Sequence, residues 1–284
     1  MKTKTKTVIG FAVSCAAIFA SSDAAFASSC VGNCSTSNSP DGAVGFAPDG
    51  STSFSWVSTT NGVDGAAQAA LGGTLTPAQI SAINPTDGSV FTTDSFTATA
   101  GEQLKFNFDY ITSDGSSTYP DFAFAQLVNS SGATVALLFT AQTEPTGSAV
   151  PAQGLSAPAA TLNPSSVLIN TGPGSTVFSP LGVYSGECFD GYGNGCGNSG
   201  WVASTYNIAS GGTYQLEFGV ANAADELYDD ALAFEGAEIG GTSIGGGGGS
   251  GTSTAAPEID PGSAASAMTL LLAGLAIVRG RKRA

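Results

Sequence analysis

Leu104-Lys105-Phe106-Asn107-Phe108-Asp109-Tyr110 decides the fold, because four large apolar side chains alternate with three polar ones. Successive side chains of a strand point to opposite faces, so this run reads as a half-buried β-strand with Leu104, Phe106, Phe108 and Tyr110 inward. The same period recurs in Tyr214, Leu216, Phe218 and Val220, which alternate with Gln215, Glu217 and Gly219. Working outward, further strands are expected over 53–58, 90–97, 121–128, 134–140, 201–208 and 231–239, separated by clusters of Gly, Asn, Asp and Pro. One helix is expected over Pro77–Ile83, with Thr76 as its N-cap. Strands without interleaved helices argue for an all-β fold, an antiparallel β-sandwich of the jelly-roll kind, and against an α/β enzyme fold.

Both ends of the chain read as addresses. Lys2, Lys4 and Lys6 precede an apolar run over 8–20, and Ala25-Phe26-Ala27 offers an A-x-A cleavage site. Residues 1–27 are therefore expected to be a secretory signal peptide, with the mature chain starting at Ser28. The folded domain is expected over 28–239. Residues 240–256 turn to Gly, Ser and Thr, with Gly245 to Gly249 unbroken. Such a stretch is a flexible linker of roughly 20 to 25 Å r.m.s. span. Residues 257–284 join Pro257-Glu258-Ile259-Asp260-Pro261 to an apolar run from Ala264 to Val278 and a basic end, Arg279-Gly280-Arg281-Lys282-Arg283. As a helix, 262–278 would measure roughly 25 Å, close to the ~30 Å hydrocarbon core of a bilayer. The basic cluster would hold the C-terminus on the cytoplasmic side.

This three-part tail resembles the PEP-CTERM sorting signal, which an exosortase recognises in bacteria that make extracellular polysaccharide. The resemblance implies an exosortase-type processing enzyme as partner, a transient stay in the inner membrane, and a final place at the cell surface or outside the cell. Pro-Glu-Ile-Asp-Pro departs from the commoner Pro-Glu-Pro form, and an ordinary single-pass anchor is the competing reading of the tail.

Charge narrows the function classes. Between Ser28 and Ala256 nineteen acidic residues stand against one basic residue, Lys105, a net charge of −18. Such a surface repels phosphate backbones, which excludes nucleic-acid binding. It also strains the compact state by self-repulsion, which divalent cations would relieve. Four cysteines follow the signal peptide in two close pairs, Cys30 with Cys34 and Cys188 with Cys196. An even count in an exported chain reads as disulfides; three connectivities are open, of which the local pairing is preferred. With no His in the chain, neither a Ser-His-Asp triad nor a Cys-His pair can be built. A glycan-cleaving enzyme would need two carboxylates across a cleft; Glu217 and Glu235 are the available pair, and a solvated strand face is the plainer account of both. The chain is expected to be non-enzymatic.

Two stretches look specific. One runs from Phe108 through Thr112-Ser113-Asp114-Gly115 to Leu127; the other runs from Gly200 through Gly219-Val220-Ala221-Asn222 to Tyr228-Asp229-Asp230-Ala231-Leu232-Ala233-Phe234-Glu235-Gly236. Together they resemble a family of exported bacterial sandwich domains, many with PEP-CTERM tails and without an assigned activity. Asp230 stands where that family commonly has Ser. These stretches bring Asp114, Asp121, Asp225, Asp229 and Asp230 into two loops, and hard oxygen donors of this kind suit calcium. The alternative is that the aspartates make turns by accepting backbone N–H groups. Glycan stacking on exposed aromatics is a further reading, with Trp56, Tyr119, Tyr184, Tyr192, Trp201 and Tyr228 available. Tyr192 and Trp201 are preferred, Tyr192 because no core can receive it in the Gly-rich loop between Cys188 and Cys196. Two functions follow as expectations: a surface or matrix protein, or a calcium-stabilised module that binds exopolysaccharide.

Overall fold

The computed structural model describes residues 27–72, 74–144, 146–169, 176–189 and 195–245 of the 284-residue chain. The strands are β1 (Ser29–Val31), β2 (Asn33–Ser37), β3 (Phe54–Ser58), β4 (Val63–Asp64), β5 (Pro85–Thr92), β6 (Phe96–Ala98), β7 (Gln103–Thr112) and β8 (Phe122–Asn129). They continue with β9 (Thr134–Gln142), β10 (Thr161–Asn163), β11 (Gly197–Asn198), β12 (Val202–Asn207), β13 (Gly212–Ala223), β14 (Asp230–Ile239) and β15 (Thr242–Ser243). Helices α1 (Ala66–Leu71) and α2 (Pro77–Ile83) and a short 3-10 segment, Ser179–Tyr184, complete the described elements.

The strands form two antiparallel sheets packed face to face. One runs β1-β5-β13-β8-β9, with β4 on β5 and β6 on β13; the other runs β10-β12-β7-β14-β3-β2, with β11 on β7 and β15 on β14. The alternation in β7 and β13 places Phe106, Phe108 and Tyr110 opposite Leu216, Phe218 and Val220 in the core between the sheets. Two stacked ring pairs, Phe108 on Phe139 and Phe218 on Phe234, tie the layers together at centroid distances of 3.7 and 4.0 Å.

The outer faces are not simply polar. Phe122, Phe124 and Ala221 point away from the core of the first sheet and are covered by Ala67, Leu71, Leu75 and Ile83 of the helical segment. α2 begins at the expected Thr76, which closes a reciprocal capping box with Gln79. On the second sheet Phe54, Ile111, Ala231 and Ala233 lie beneath Val44, Phe178 and Leu181, brought in by loops from distant parts of the chain.

Two differences from the sequence expectation have simple causes. The single strand expected over 90–97 is two, broken at Thr93 to Ser95, where the Thr93 hydroxyl accepts from Leu216 N (3.0 Å). The sheet continues past 239 into the stretch read as linker, since β15 pairs with the end of β14 and Ile244 is buried. Asp94 joins the two ends of the folded unit: it accepts from Ser28 N at 2.6 Å and donates its own N–H to the Gly245 carbonyl at 3.2 Å. The expected signal peptide, through residue 26, and the expected sorting tail at 257–284 lie outside the described residues. Among the described residues no helix is long and apolar enough to cross a membrane.

Candidate functional site

Strand register gathers the acidic residues at one end of the sandwich. Asp230, the first residue of β14, is paired with Thr112, the last of β7, and Asp121 directly precedes β8, whose first residue pairs with Ala221 of β13. Asp114, Asp121, Asp229 and Asp230 are all buried there. Tyr110 reaches into the cluster from the core. Its hydroxyl donates to Asp230 Oδ2 and lies 2.9 Å from the Asp121 carbonyl and 3.3 Å from Thr143 Oγ1. One hydroxyl proton thus faces several acceptors.

The aspartates differ in how their oxygens are satisfied. Asp225 accepts from Leu227 N at 3.0 Å and Asp114 from Ser116 N at 2.7 Å, which is turn chemistry. Asp229 receives the Thr59 and Thr60 hydroxyls at 2.9 and 2.7 Å, one on each oxygen. Asp121 Oδ1 accepts from Ala223 N at 2.7 Å, but Asp121 Oδ2 has no partner, and neither has Asp230 Oδ1. Burial, then the charges of Asp230 and Asp114, push the Asp121 carboxyl well above its ordinary range. Burial likewise raises Asp230 against the bonds from the Tyr110 and Thr112 hydroxyls, with Asp114 and Asp229 adding to the rise. Among the described residues no group of three His, Cys, Asp or Glu side chains is arranged to hold a metal ion.

A row of half-buried rings lies over the same end. Tyr119, Phe189, Tyr228 and Tyr184 follow one another at centroid distances of 5.6, 5.1 and 4.8 Å. Tyr228 takes a left-handed backbone (φ 58°), uncommon for an aromatic residue and associated with functional loops. Val183 and Leu227 flank the row and are exposed. Its support is the Cys188–Cys196 disulfide, with Cα atoms 5.8 Å apart, packed on Gly115: a Cβ there would stand 3.0 Å from Cys196 Sγ and 2.7 Å from the Phe189 carbonyl. Cys30 and Cys34 form the second bridge, so both local pairings are present. Phe189 was not among the expected aromatics, although the argument used for Tyr192, a ring in a loop that no core receives, applies to it equally.

The remaining expected residues are scattered. Tyr192 lies outside the described residues. Trp201 is tied down, its Nε1 donating to the Gly45 carbonyl at 3.0 Å and its ring meeting Phe54 edge-on at 6.0 Å. Trp56 is half-buried against the same cluster. Glu217 and Glu235 do not form a pair, because they occupy the outward phases of opposite sheets. Glu217 accepts from Gln126 Nε2 at 2.6 Å beneath α1. Glu235 instead meets Asp49, which sequence reasoning missed, beside a cavity of about 470 Å³ that is lined by Lys105, Asn107, Thr205 and Glu238. The approach is possible because Gly236 sits at a bulge with φ 66°; a Cβ there would lie 2.5 Å from Asp49 Oδ2. Burial and the Asp49 carboxyl raise Glu235 to about 7, while bonds from Glu235 and Ser51 overcome burial and hold Asp49 below its ordinary value. Below about pH 7 the pair therefore holds one proton, on Glu235. Such direct contact leaves no room between the carboxyls for the substrate atoms a glycosidase needs. No protein family, curated protein or solved structure matches the chain.

Proposed function

We propose that the chain is an exported, non-enzymatic protein of the bacterial cell surface or extracellular matrix, carried across the membrane by residues 1–27 and sorted through residues 257–284 by an exosortase-type enzyme. The observation that supports export is the pair of local disulfides, Cys30–Cys34 and Cys188–Cys196, which suit an oxidising compartment. Intact-mass measurement of the protein from its native host is the test. Loss of both 1–27 and the hydrophobic tail is expected; a mature protein that keeps 264–278 rejects sorting and leaves a plain anchor.

A second reading, exopolysaccharide binding, is favoured by the ring row of Tyr119, Phe189, Tyr228 and Tyr184. Flat, half-exposed rings offer faces to the C–H faces of sugars while their hydroxyls stay solvated. The strand order supports a jelly roll, an architecture common among lectins. Leaving out the short peripheral strands and counting the other eight in chain order, one sheet runs first-eighth-third-sixth and the other second-seventh-fourth-fifth. The chain therefore changes sheet at every step except β8 to β9. Retention of the full chain on the host's exopolysaccharide should weaken about fivefold for Tyr228→Ala and again for Tyr184→Ala, taking about 1 kcal/mol per aromatic contact. Equal retention of the wild type and both variants rejects the aromatic row as a glycan surface.

A further inference from the structure

We propose that the end of the sandwich where β7, β8 and β14 meet is a calcium site, with Asp121 and Asp230 as its two charged ligands. The proposal narrows the cation to two of the five aspartates expected from the sequence and is independent of glycan binding. Its basis is an imbalance of acceptors over donors in a place that water does not reach. Asp121 Oδ2 and Asp230 Oδ1 are buried and have no hydrogen-bond partner. A buried acceptor without a donor is strongly unfavourable, more so when charged. The neutral oxygens beside them are Tyr110 Oη, Thr143 Oγ1 and the Asp121 carbonyl, which accepts from Thr143 N at 2.8 Å, so the protons present are directed at other oxygens and none reaches the two orphans.

No basic side chain can fill the gap. The one Lys, Arg or His among the described residues is Lys105, which pairs with Glu238 at the other end of β7. Seven residues separate it from Thr112, about 23 Å along a strand. Every other charged group near the two ligands is acidic: Asp114 acts on both, Asp225 on Asp121 and Asp229 on Asp230. A single shared proton would place one donor between two carboxyls and leave the other charges uncompensated. A divalent cation neutralises both ligands and accepts the surplus oxygens together. The donor set is oxygen alone, without nitrogen or thiolate, which selects against zinc. Calcium tolerates an irregular shell of carboxylate, hydroxyl and carbonyl oxygens; magnesium demands an octahedron and retains its waters, which this dry end does not accommodate.

The test uses the full chain, stripped with EDTA and dialysed against calcium chloride or magnesium chloride at constant ionic strength. Bound metal is measured by atomic emission and unfolding by circular dichroism. Calcium is taken to about 10 mM, above the ~1 mM dissociation constants of weak extracellular sites. One calcium per chain and a rise in Tm that magnesium does not reproduce are expected. Asp121→Asn and Asp230→Asn keep the shape of the side chains and should lose both effects, while Asp225→Asn should retain both. A wild-type chain that stays metal-free throughout overturns the proposal and leaves the site to a shared proton. Calcium binding that survives both Asn substitutions, or that vanishes in Asp225→Asn, overturns it as well.

Discussion

Replacing Asp109 by Asn isolates the energetics of one buried carboxyl. Asp109 is on the outward phase of β7 yet is sealed beneath the 196–200 loop, where Asn198 Nδ2 and Ser199 Oγ donate to its two oxygens at 2.9 and 3.1 Å. Burial outweighs these bonds and raises its pKa to about 7. In the unfolded chain an aspartate titrates near ~3.9. The folded state therefore holds this proton more tightly. The contribution to stability is complete below about pH 4, declines as pH rises, and is lost above about pH 7. Each pH unit between the two values corresponds to about 1.4 kcal/mol, so the whole swing is about 4 kcal/mol and the part between pH 5 and pH 8 is about 3 kcal/mol. Burial also raises Glu235 to about 7 and Asp87 to about 6, and these tilt wild type and variant alike. Asn cannot ionise, so the difference between the two proteins reports Asp109 itself. Urea denaturation at pH 5 and pH 8, at constant ionic strength, should show Asp109→Asn gaining about 3 kcal/mol on the wild type at the higher pH. A difference between the two proteins that is the same at both pH values would refute the burial argument.

Removing the Cys188–Cys196 bridge by a double Ala substitution should lower stability by about 2 to 3 kcal/mol, the chain-entropy value for so short a loop. An unchanged urea midpoint would mean that the loop is held without the bridge, by Phe189 N on the Ser113 carbonyl and by the Tyr119 ring. Gly88→Ala should lower stability by about 1 to 3 kcal/mol through overpacking. The new Cβ would stand 2.3 Å from the Val220 carbonyl oxygen, a backbone atom of the paired strand that cannot swing aside. A wild-type Tm for this variant would show that β5 and β13 part without cost.

What could be read in the chain were the elements whose pattern is local. Leu104 to Tyr110 and Tyr214 to Val220 carry a two-residue period over enough positions to fix both face and strand. Thr76 with Gln79 marks a helix start by side chains alone. Strands β1 and β2 are made largely of Ser, Thr, Asn and Cys, with no apolar alternation to betray them, and are held by pairing with β5 and β3. Helix α1 has no side-chain cap and follows Gly65 in a left-handed turn, so nothing announced it. The burial of Asp109 escaped for another reason: alternation says which way a side chain points, not what later covers that face. The 196–200 loop supplies the cover, and Asn198 ties it to the distant Ala43 carbonyl as well as to Asp109. The two carboxylates of the proposed calcium site were among the five aspartates expected from the loops. Tyr110, whose hydroxyl joins them, was read as core packing alone.

The meeting of Ser28 and Gly245 on Asp94 sets how the molecule is hung. Entry and exit of the folded unit share one pole, and β14 runs away from it for ten residues, about 33 Å, before reaching Asp230 and the ring row. A chain held by the expected leader, by the expected tail or by both would hang from the same point, like a lamp on a cord, with the aromatic row at the far end of the folded unit. Cleavage after Ala27 would turn the Ser28 amide into an ammonium directly on the Asp94 carboxylate, so that release of the leader fastens the pole it had been pulling on.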